Sequence, residues 1–271
     1  MATTTPRKKR LTELSGEELG KLFGLIGASD SVELKVTVPA NAHQGTIAAL
    51  GLDPLDAQIR QVFFFDTPDL QLNKAGIAVR ARRIQDRNGD TVVKLRPVVP
   101  DQLPEDVRHS ASMNVEVDMM PGGYVCSASM KGKAPNDEIR TAVRGGRPLR
   151  KIFSKEQRSF YAAHAPDGPG LDELSVLGPI FVLKEVVVPK DFEQKLVAEL
   201  WLLPDGTRIA ELSTKCPPAD AFDVGLRTRA YLEGRGIDLE GESQTKTKAA
   251  LEFFASHLPA QAAEENPAPA S

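Results

Sequence analysis

The sequence has little cysteine, since only Cys126 and Cys216 occur in 271 residues, far apart and without CxxC spacing. This scarcity argues against a disulfide framework and a cysteine-based zinc site, and it fits a reducing compartment. Long apolar runs are also lacking: none approaches the roughly 18 residues of a membrane span, and residues 1–10 have no signal-peptide core. We therefore expect a cytoplasmic protein with no membrane partner.

The sequence also lacks a large excess of either charge, because its 34 Lys and Arg residues and 37 Asp and Glu residues give a net charge of −3. A surface that tracks nucleic acid usually has a basic excess, so we expect no nucleic-acid partner. The four histidines lack paired ligand spacing, which argues against a histidine metal site. Any binding site rich in basic residues must therefore be confined to a small part of the protein.

What the sequence does contain is a succession of short segments with period-two alternation. Strands are predicted at 32–38, 59–65, 77–84, 91–96, 114–119, 180–188, 198–203 and 207–215. Helices are predicted at 15–26, 42–50, 154–165, 219–235 and 245–257, and a turn at 87–90. The pattern predicts an α+β fold, mainly antiparallel: a closed β-barrel of about eight strands with peripheral helices. We expect one domain over 15–257 between disordered tails at 1–14 and 258–271.

The informative feature is charge repeated on one face of five strands: Glu33 and Lys35, Arg80 and Arg82, Lys94 and Arg96, Glu116 and Asp118, and Glu211 and Lys215. A solvated outer face would explain any single pair. Their recurrence favours an inverted barrel, with charge in the lumen and apolar residues outside. Basic groups bind phosphate oxygens and carboxylates bind Mg²⁺ or Mn²⁺, so such a lumen suits a polyanion with a divalent metal.

Several segments resemble one known family. FDTPDL at 65–70 followed by AGIAVRAR at 75–82 is similar to the CYTH signature, a Phe-Asp-Thr-Pro turn before a strand with Arg-x-Arg. The segments 91–96, 114–118, 211–215 and 243–250 resemble later parts of the same pattern. The sequence is thus similar to the CYTH, or triphosphate tunnel metalloenzyme, superfamily, which includes class IV adenylate cyclases and thiamine triphosphatases.

The resemblance implies roles for individual residues. It implies that Glu33 and Lys35 act in catalysis and that Mg²⁺ or Mn²⁺ is held by Glu33, Glu116, Asp118 and Glu211. It implies triphosphate binding by Lys35, Arg80, Arg82, Lys94, Arg96, Lys215 and Lys246. The substrate implied is inorganic triphosphate, ATP or thiamine triphosphate. The sequence leaves open whether the protein forms a homodimer. Asp66 we interpret as a turn residue and Trp201 as a packing residue.

The sequence departs from the family pattern at two positions. The first strand usually reads Glu-x-Glu-x-Lys, but here Ser31 takes the first acidic position, and Ser213 replaces an acidic residue of the late strand. Three functions therefore remain open: a triphosphate hydrolase, which we prefer, an adenylate cyclase, or a noncatalytic binder of polyphosphate or nucleotide. A His-Phe pair expected before the acidic motif of class IV cyclases is absent around Phe23.

Overall fold

The computed structural model describes residues 13–165, 168–237, 239 and 246–258, without the side chains of residues 246, 248 and 249. The predicted terminal tails lie outside these ranges, except for residues 13, 14 and 258.

Nine strands close into a barrel in the order β1-β5-β6-β4-β3-β2-β7-β8-β9, with β9 pairing back to β1. All neighbours are antiparallel except the parallel pair β1 and β5. The predicted closed, mainly antiparallel barrel is confirmed, with nine strands rather than about eight. The strands are β1 (Ser31–Val38), β2 (Gln58–Asp66), β3 (Ile77–Ile84), β4 (Arg87–Leu95), β5 (Met113–Met120), β6 (Gly123–Ala134), β7 (Ser175–Val187), β8 (Leu196–Leu202) and β9 (Arg208–Cys216).

Helices cover much of the outer face of the barrel. They are α1 (Gly16–Gly27), α2 (His43–Leu50), α3 (Gln71–Lys74), α4 (Glu105–Arg108), α5 (Asn136–Val143), α6 (Lys155–His164), α7 (Ala221–Glu233) and α8 (Lys246–Ser256). Beneath them lie the apolar residues that alternate with the charges, such as Val32, Val79, Val93 and Val117, each at most 1% exposed. On these strands the charged residues therefore face the lumen, and the apolar residues face outward beneath the helices. No helix within the described ranges is long and apolar enough to cross a membrane.

One end of the lumen is apolar, which the alternation did not predict. Directly paired residues point to the same face of a sheet, so Val62 and Phe64 on β2, opposite Arg82 and Arg80, face inward. They pack with Trp201 of β8, with inward residues of β7 and β9, and with Ala250 and Leu251 of α8. Phe64 and Trp201 stack at 6.4 Å between ring centroids. Helix α8 and this cluster therefore fill one end of the barrel, and Trp201 is a packing residue as expected.

Four elements of the described chain were not predicted, namely strand β6 and helices α3, α4 and α5. The turn predicted at 87–90 is wrong, because β4 begins at Arg87. The hairpin instead turns at Asp86, whose φ is 59°. Gly89 lies inside the strand, where a Cβ atom would come within 2.3 Å of the Arg82 carbonyl oxygen. Close packing of two backbones, rather than a turn, therefore requires this glycine.

Asp66 holds the turn that follows β2. Its Oδ1 accepts hydrogen bonds from the backbone N–H groups of Thr67 and Leu72, at 2.8 and 2.9 Å, and its Oδ2 accepts one from Asn73 at 2.9 Å. The residue is 1% exposed, so water cannot replace these bonds. The interpretation of Asp66 as a turn residue agrees with this geometry.

We expect Asp66→Ala to lower the free energy of unfolding by about 2–4 kcal/mol, because three backbone N–H donors, two of them in buried hydrogen bonds, lose a charged acceptor. Urea denaturation measures this change. Asp101→Ala is the control, since Asp101 is exposed and its side chain has no hydrogen bond or ion pair among the described residues, so this substitution should change stability little. Equal effects of the two substitutions would contradict this role for Asp66.

Candidate functional site

Three carboxylates meet in the lumen where β1 and β5 run parallel. The register places Ser31 opposite Glu116 and Glu33 opposite Asp118. One carboxylate oxygen from each of Glu33, Glu116 and Asp118 lies within 4.8 Å of the other two. All three side chains are largely buried. Hard oxygen donors at this spacing fit Mg²⁺ or Mn²⁺, so this carboxylate trio is a candidate metal site.

Lysines surround the carboxylate trio. The Lys35 Nζ lies 2.8 Å from Asp118 Oδ1 and 3.1 Å from Glu33 Oε2. The Lys94 Nζ lies 3.4 Å from Asp118 Oδ2, and Lys215 pairs with Glu116. Six of the residues singled out in the sequence therefore form one continuous ionic cluster contributed by β1, β4, β5 and β9.

Burial and neighbouring charges act differently on the carboxylates. Burial raises the pKa of Glu116, and the charges of Glu33 and Asp118 add to that effect. Burial would also raise the pKa of Asp118, but Lys94 and Lys35 outweigh it and lower that pKa to about 2. Burial alone would lower the pKa of Lys35, but the negative charges of Asp118 and Glu33 outweigh burial and raise that pKa above its ordinary value. Asp118 is thus firmly ionised and holds two ammonium groups in the lumen.

Arginines occupy the neighbouring part of the lumen. Arg82 on β3 donates to Asp90 through Nε at 2.8 Å and Nη2 at 2.7 Å. The Nε of Arg80 is buried without a hydrogen-bond partner among the residues that the structure describes. Arg96, just beyond β4, is half-buried, and burial lowers the pKa of its guanidinium. Arg96 interacts electrostatically with Asp118 of the carboxylate trio, whereas Arg80 and Arg82 lie near Asp90 in another part of the lumen.

The structure adds lumen residues that sequence reasoning missed. Arg60 on β2 is 7% exposed and donates through Nε and Nη2 to Gln58 Oε1, at 3.1 and 2.8 Å. Lys184 on β7 lies 3.5 Å from Glu199 of β8. Each of these charges alternates with apolar inward residues, so none forms the repeated pair that marks the other strands. The register alone reveals that they share the lumen.

The remaining predicted residues lie around the ionic cluster. Glu211 pairs in register with Thr37 and influences Lys35 electrostatically, but it lies outside the carboxylate trio. Ser31 donates from Oγ to Glu116 Oε2 at 3.3 Å, and Ser213 pairs in register with Lys35. Both serines therefore adjoin the cluster. The side chain of Lys246 is outside the described part of the chain.

Comparisons with solved structures identify proteins with the same architecture. A candidate adenylyl cyclase from Hippeastrum, described as having a dominant triphosphatase activity, superposes with a TM-score of 0.60 at 16% identity, covering 82% of this chain and 95% of its own. A candidate adenylate cyclase from Bacillus halodurans gives a TM-score of 0.56 at 14% identity, covering 81% and 97%. No protein-family model and no curated protein matches the sequence. The chain has the fold of the CYTH, or triphosphate tunnel, superfamily.

Proposed function

We propose that this protein is a metal-dependent hydrolase of inorganic or organic triphosphates. The observation that carries the proposal is the carboxylate trio of Glu33, Glu116 and Asp118 lying against lysines in a lumen that also holds several arginines. Burying this many charges is unfavourable unless they are well compensated. A phosphate chain would compensate the basic groups, and a divalent cation would compensate the carboxylates.

Within this proposal the carboxylate trio would hold Mg²⁺ or Mn²⁺. When bound, the metal would supply Lewis-acid polarisation of a phosphoryl oxygen and lower the pKa of a water molecule. Lys35 and Lys94, held in place by Asp118, would orient the phosphate chain beside the trio. Arg80, Arg82 and Arg96 would neutralise the charge that develops on the phosphoryl oxygens.

The triphosphatase activity described for the Hippeastrum protein supports the hydrolase over a cyclase. Adenylate cyclase activity remains an alternative, since both structural neighbours are described as candidate cyclases. The products distinguish the two reactions: hydrolysis releases phosphate, whereas cyclisation of ATP yields cyclic AMP and pyrophosphate.

A noncatalytic binder is the second alternative, and one observation favours it. Ser31 contacts Glu116 where the family pattern has a carboxylate, so the metal site has fewer charged ligands than that pattern provides. Such a protein would bind triphosphate without turnover.

We expect purified protein with Mg²⁺ or Mn²⁺ to release phosphate from inorganic triphosphate, ATP or thiamine triphosphate. Lys35→Ala should lower the rate by about a hundredfold or more, the usual effect of removing a preorganised charge from a phosphoryl-transfer site. Lys74→Ala is the matched control, because that lysine is 67% exposed outside the lumen. Formation of cyclic AMP from ATP would show that the protein is an adenylate cyclase rather than a hydrolase. Triphosphate binding without turnover would show that it is a noncatalytic binding protein.

A further inference from the structure

One part of the outer barrel surface is apolar and lies outside the helical cover. It belongs to β2, β7 and β8, whereas the helices outside the barrel pack chiefly on the other strands. Ile59 and Phe181 are 46% and 44% exposed there, and three leucines beside them are half-buried. None of the five joins an apolar cluster of the described residues. We call this surface the bare face; its apolar residues are Ile59, Phe181, Leu183, Leu200 and Leu202.

The side chains of the bare face point outward because their neighbours along β7 and β8 point into the lumen. Val182 and Trp201 pair in register and lie in the apolar cluster at the end of the barrel that α8 closes. Lys184 and Glu199 pair in register two positions further on and lie 3.5 Å apart in the lumen. Successive side chains of a strand alternate between its two sides. The residues between these pairs therefore lie on the outer surface.

The rim of the bare face carries opposite charges at opposite corners. Arg208 pairs in register with Leu202 at one corner, where it is exposed and has no ion pair within the described residues. Glu185 of β7 lies at the other corner, beside Asp53 and Asp56. Burial raises the pKa of Glu185, and the charges of Asp56 and Asp53 add to that effect. In the described part of the chain no lysine or arginine forms an ion pair with these three carboxylates, so the acidic corner is uncompensated.

Leu200 lies midway between the two charged corners. Strand β8 runs between β7 and β9, and Leu200 occupies the row between that of Arg208 and that of Glu185. A two-fold axis in the plane of the face at Leu200 therefore brings Arg208 of each copy over Glu185 of the other. A two-fold interface requires such a self-complementary surface, because the same patch is used on both subunits.

We propose that the bare face is a homodimer interface, covered by a second copy of this chain about a two-fold axis at Leu200. Exposed apolar patches with polar rims mark interaction sites, and an apolar centre with charges around it is the usual composition of an interface. The patch is small for an obligate dimer, so we expect a dissociation constant in roughly the micromolar range. This inference concerns the outer surface and does not depend on the proposed hydrolase activity.

Sedimentation velocity of the full-length protein tests the proposal from about 1 to about 100 μM, a range that brackets the expected dissociation constant. The 29.4 kDa chain should approach twice this mass as its concentration rises. Phe181→Lys should keep it monomeric, because the new charge would lose its water in the apolar centre. Phe222→Lys is the matched control, since Phe222 is 40% exposed on α7, outside the bare face, and it should leave association unchanged.

Charge reversal tests the two-fold pairing itself. Arg208→Glu and Glu185→Arg should each weaken association at least about tenfold, because each places like charges face to face. The double variant should restore association, since it reverses both members of the pair. Such rescue separates pairing between copies from damage to the fold, and it decides the question should Phe181→Lys fold poorly.

A wild-type protein that stays monomeric at every concentration would overturn the proposal. A dimer that Phe222→Lys dissociates and Phe181→Lys does not would also overturn it, because the contact would then involve α7 and the neighbouring Phe23 of α1. Failure of the double reversal to restore association would overturn the two-fold axis at Leu200.

Discussion

Asp118→Asn is expected to lower triphosphate turnover by about a thousandfold, which is the largest effect of any single substitution in this site. Asparagine keeps the size of the side chain but removes the charge that pairs with both Lys35 and Lys94. It also removes one of the three carboxylates of the candidate metal site. The substitution should therefore weaken metal binding and release Lys35 and Lys94 from their positions at the same time.

Steady-state phosphate release across a range of Mg²⁺ concentrations measures this prediction. Added metal should recover only part of the lost rate, because the misplaced lysines remain. Asp191→Asn serves as the control, since Asp191 forms an exposed ion pair with Arg235 far from the trio in sequence. Turnover in Asp118→Asn within a few-fold of the wild type would contradict the assignment.

Ser31→Glu is expected to strengthen metal binding by about tenfold, because it adds a fourth carboxylate beside the trio. Ser31 already contacts Glu116 through its hydroxyl and lies opposite it in the register of β1 and β5. A glutamate in this position would restore the acidic pattern of the first strand. In a binder, the same substitution would introduce turnover where the wild type has none.

The concentration of Mg²⁺ or Mn²⁺ at half-maximal effect measures the change, with manganese binding as the readout if turnover is absent. Ser31→Gln is the matched control, because it has the same length as glutamate without the charge. A similar shift in both variants would mean that size rather than charge is responsible. An unchanged metal requirement in Ser31→Glu would show that this position lies outside the ligand set.

The ionic cluster could be predicted from sequence because its residues recur in alternation on strands whose opposite face is uniformly apolar. Glu33 with Lys35, and Glu116 with Asp118, are such pairs. The barrel then brings them within contact distance, which alternation alone cannot specify. Pairing of β1 with β5 decides which carboxylates become neighbours, and it leaves Glu211 outside the trio.

The closed end could not be predicted in this way. Within the predicted strand 59–65, Arg60 shares its face with Val62 and Phe64, so this face is apolar with one exception. The cause is that α8 packs into this end, which makes the lumen itself part of the hydrophobic core. The first half of strand β6 escaped prediction for a related reason: its outward residues Cys126 and Ala128 are small, and its inward residues Ser127 and Ser129 are uncharged. The stretch from Cys126 to Ser129 therefore lacks the contrast between polar and apolar faces on which the prediction of a strand depends. The second half of β6 does have a charge pair on the inward face, Lys131 and Lys133, which sequence reasoning missed.

The most direct test of the central claim is calorimetric titration of inorganic triphosphate into the full-length protein with Mg²⁺, alongside the double variant Lys35→Ala and Arg80→Ala. The claim is that the barrel lumen is a triphosphate site. We expect the wild type to bind triphosphate and the double variant, still folded by circular dichroism, to bind at least about a hundredfold more weakly because two lumen cations are gone. Equal binding by both proteins, or none by the wild type, would contradict the claim.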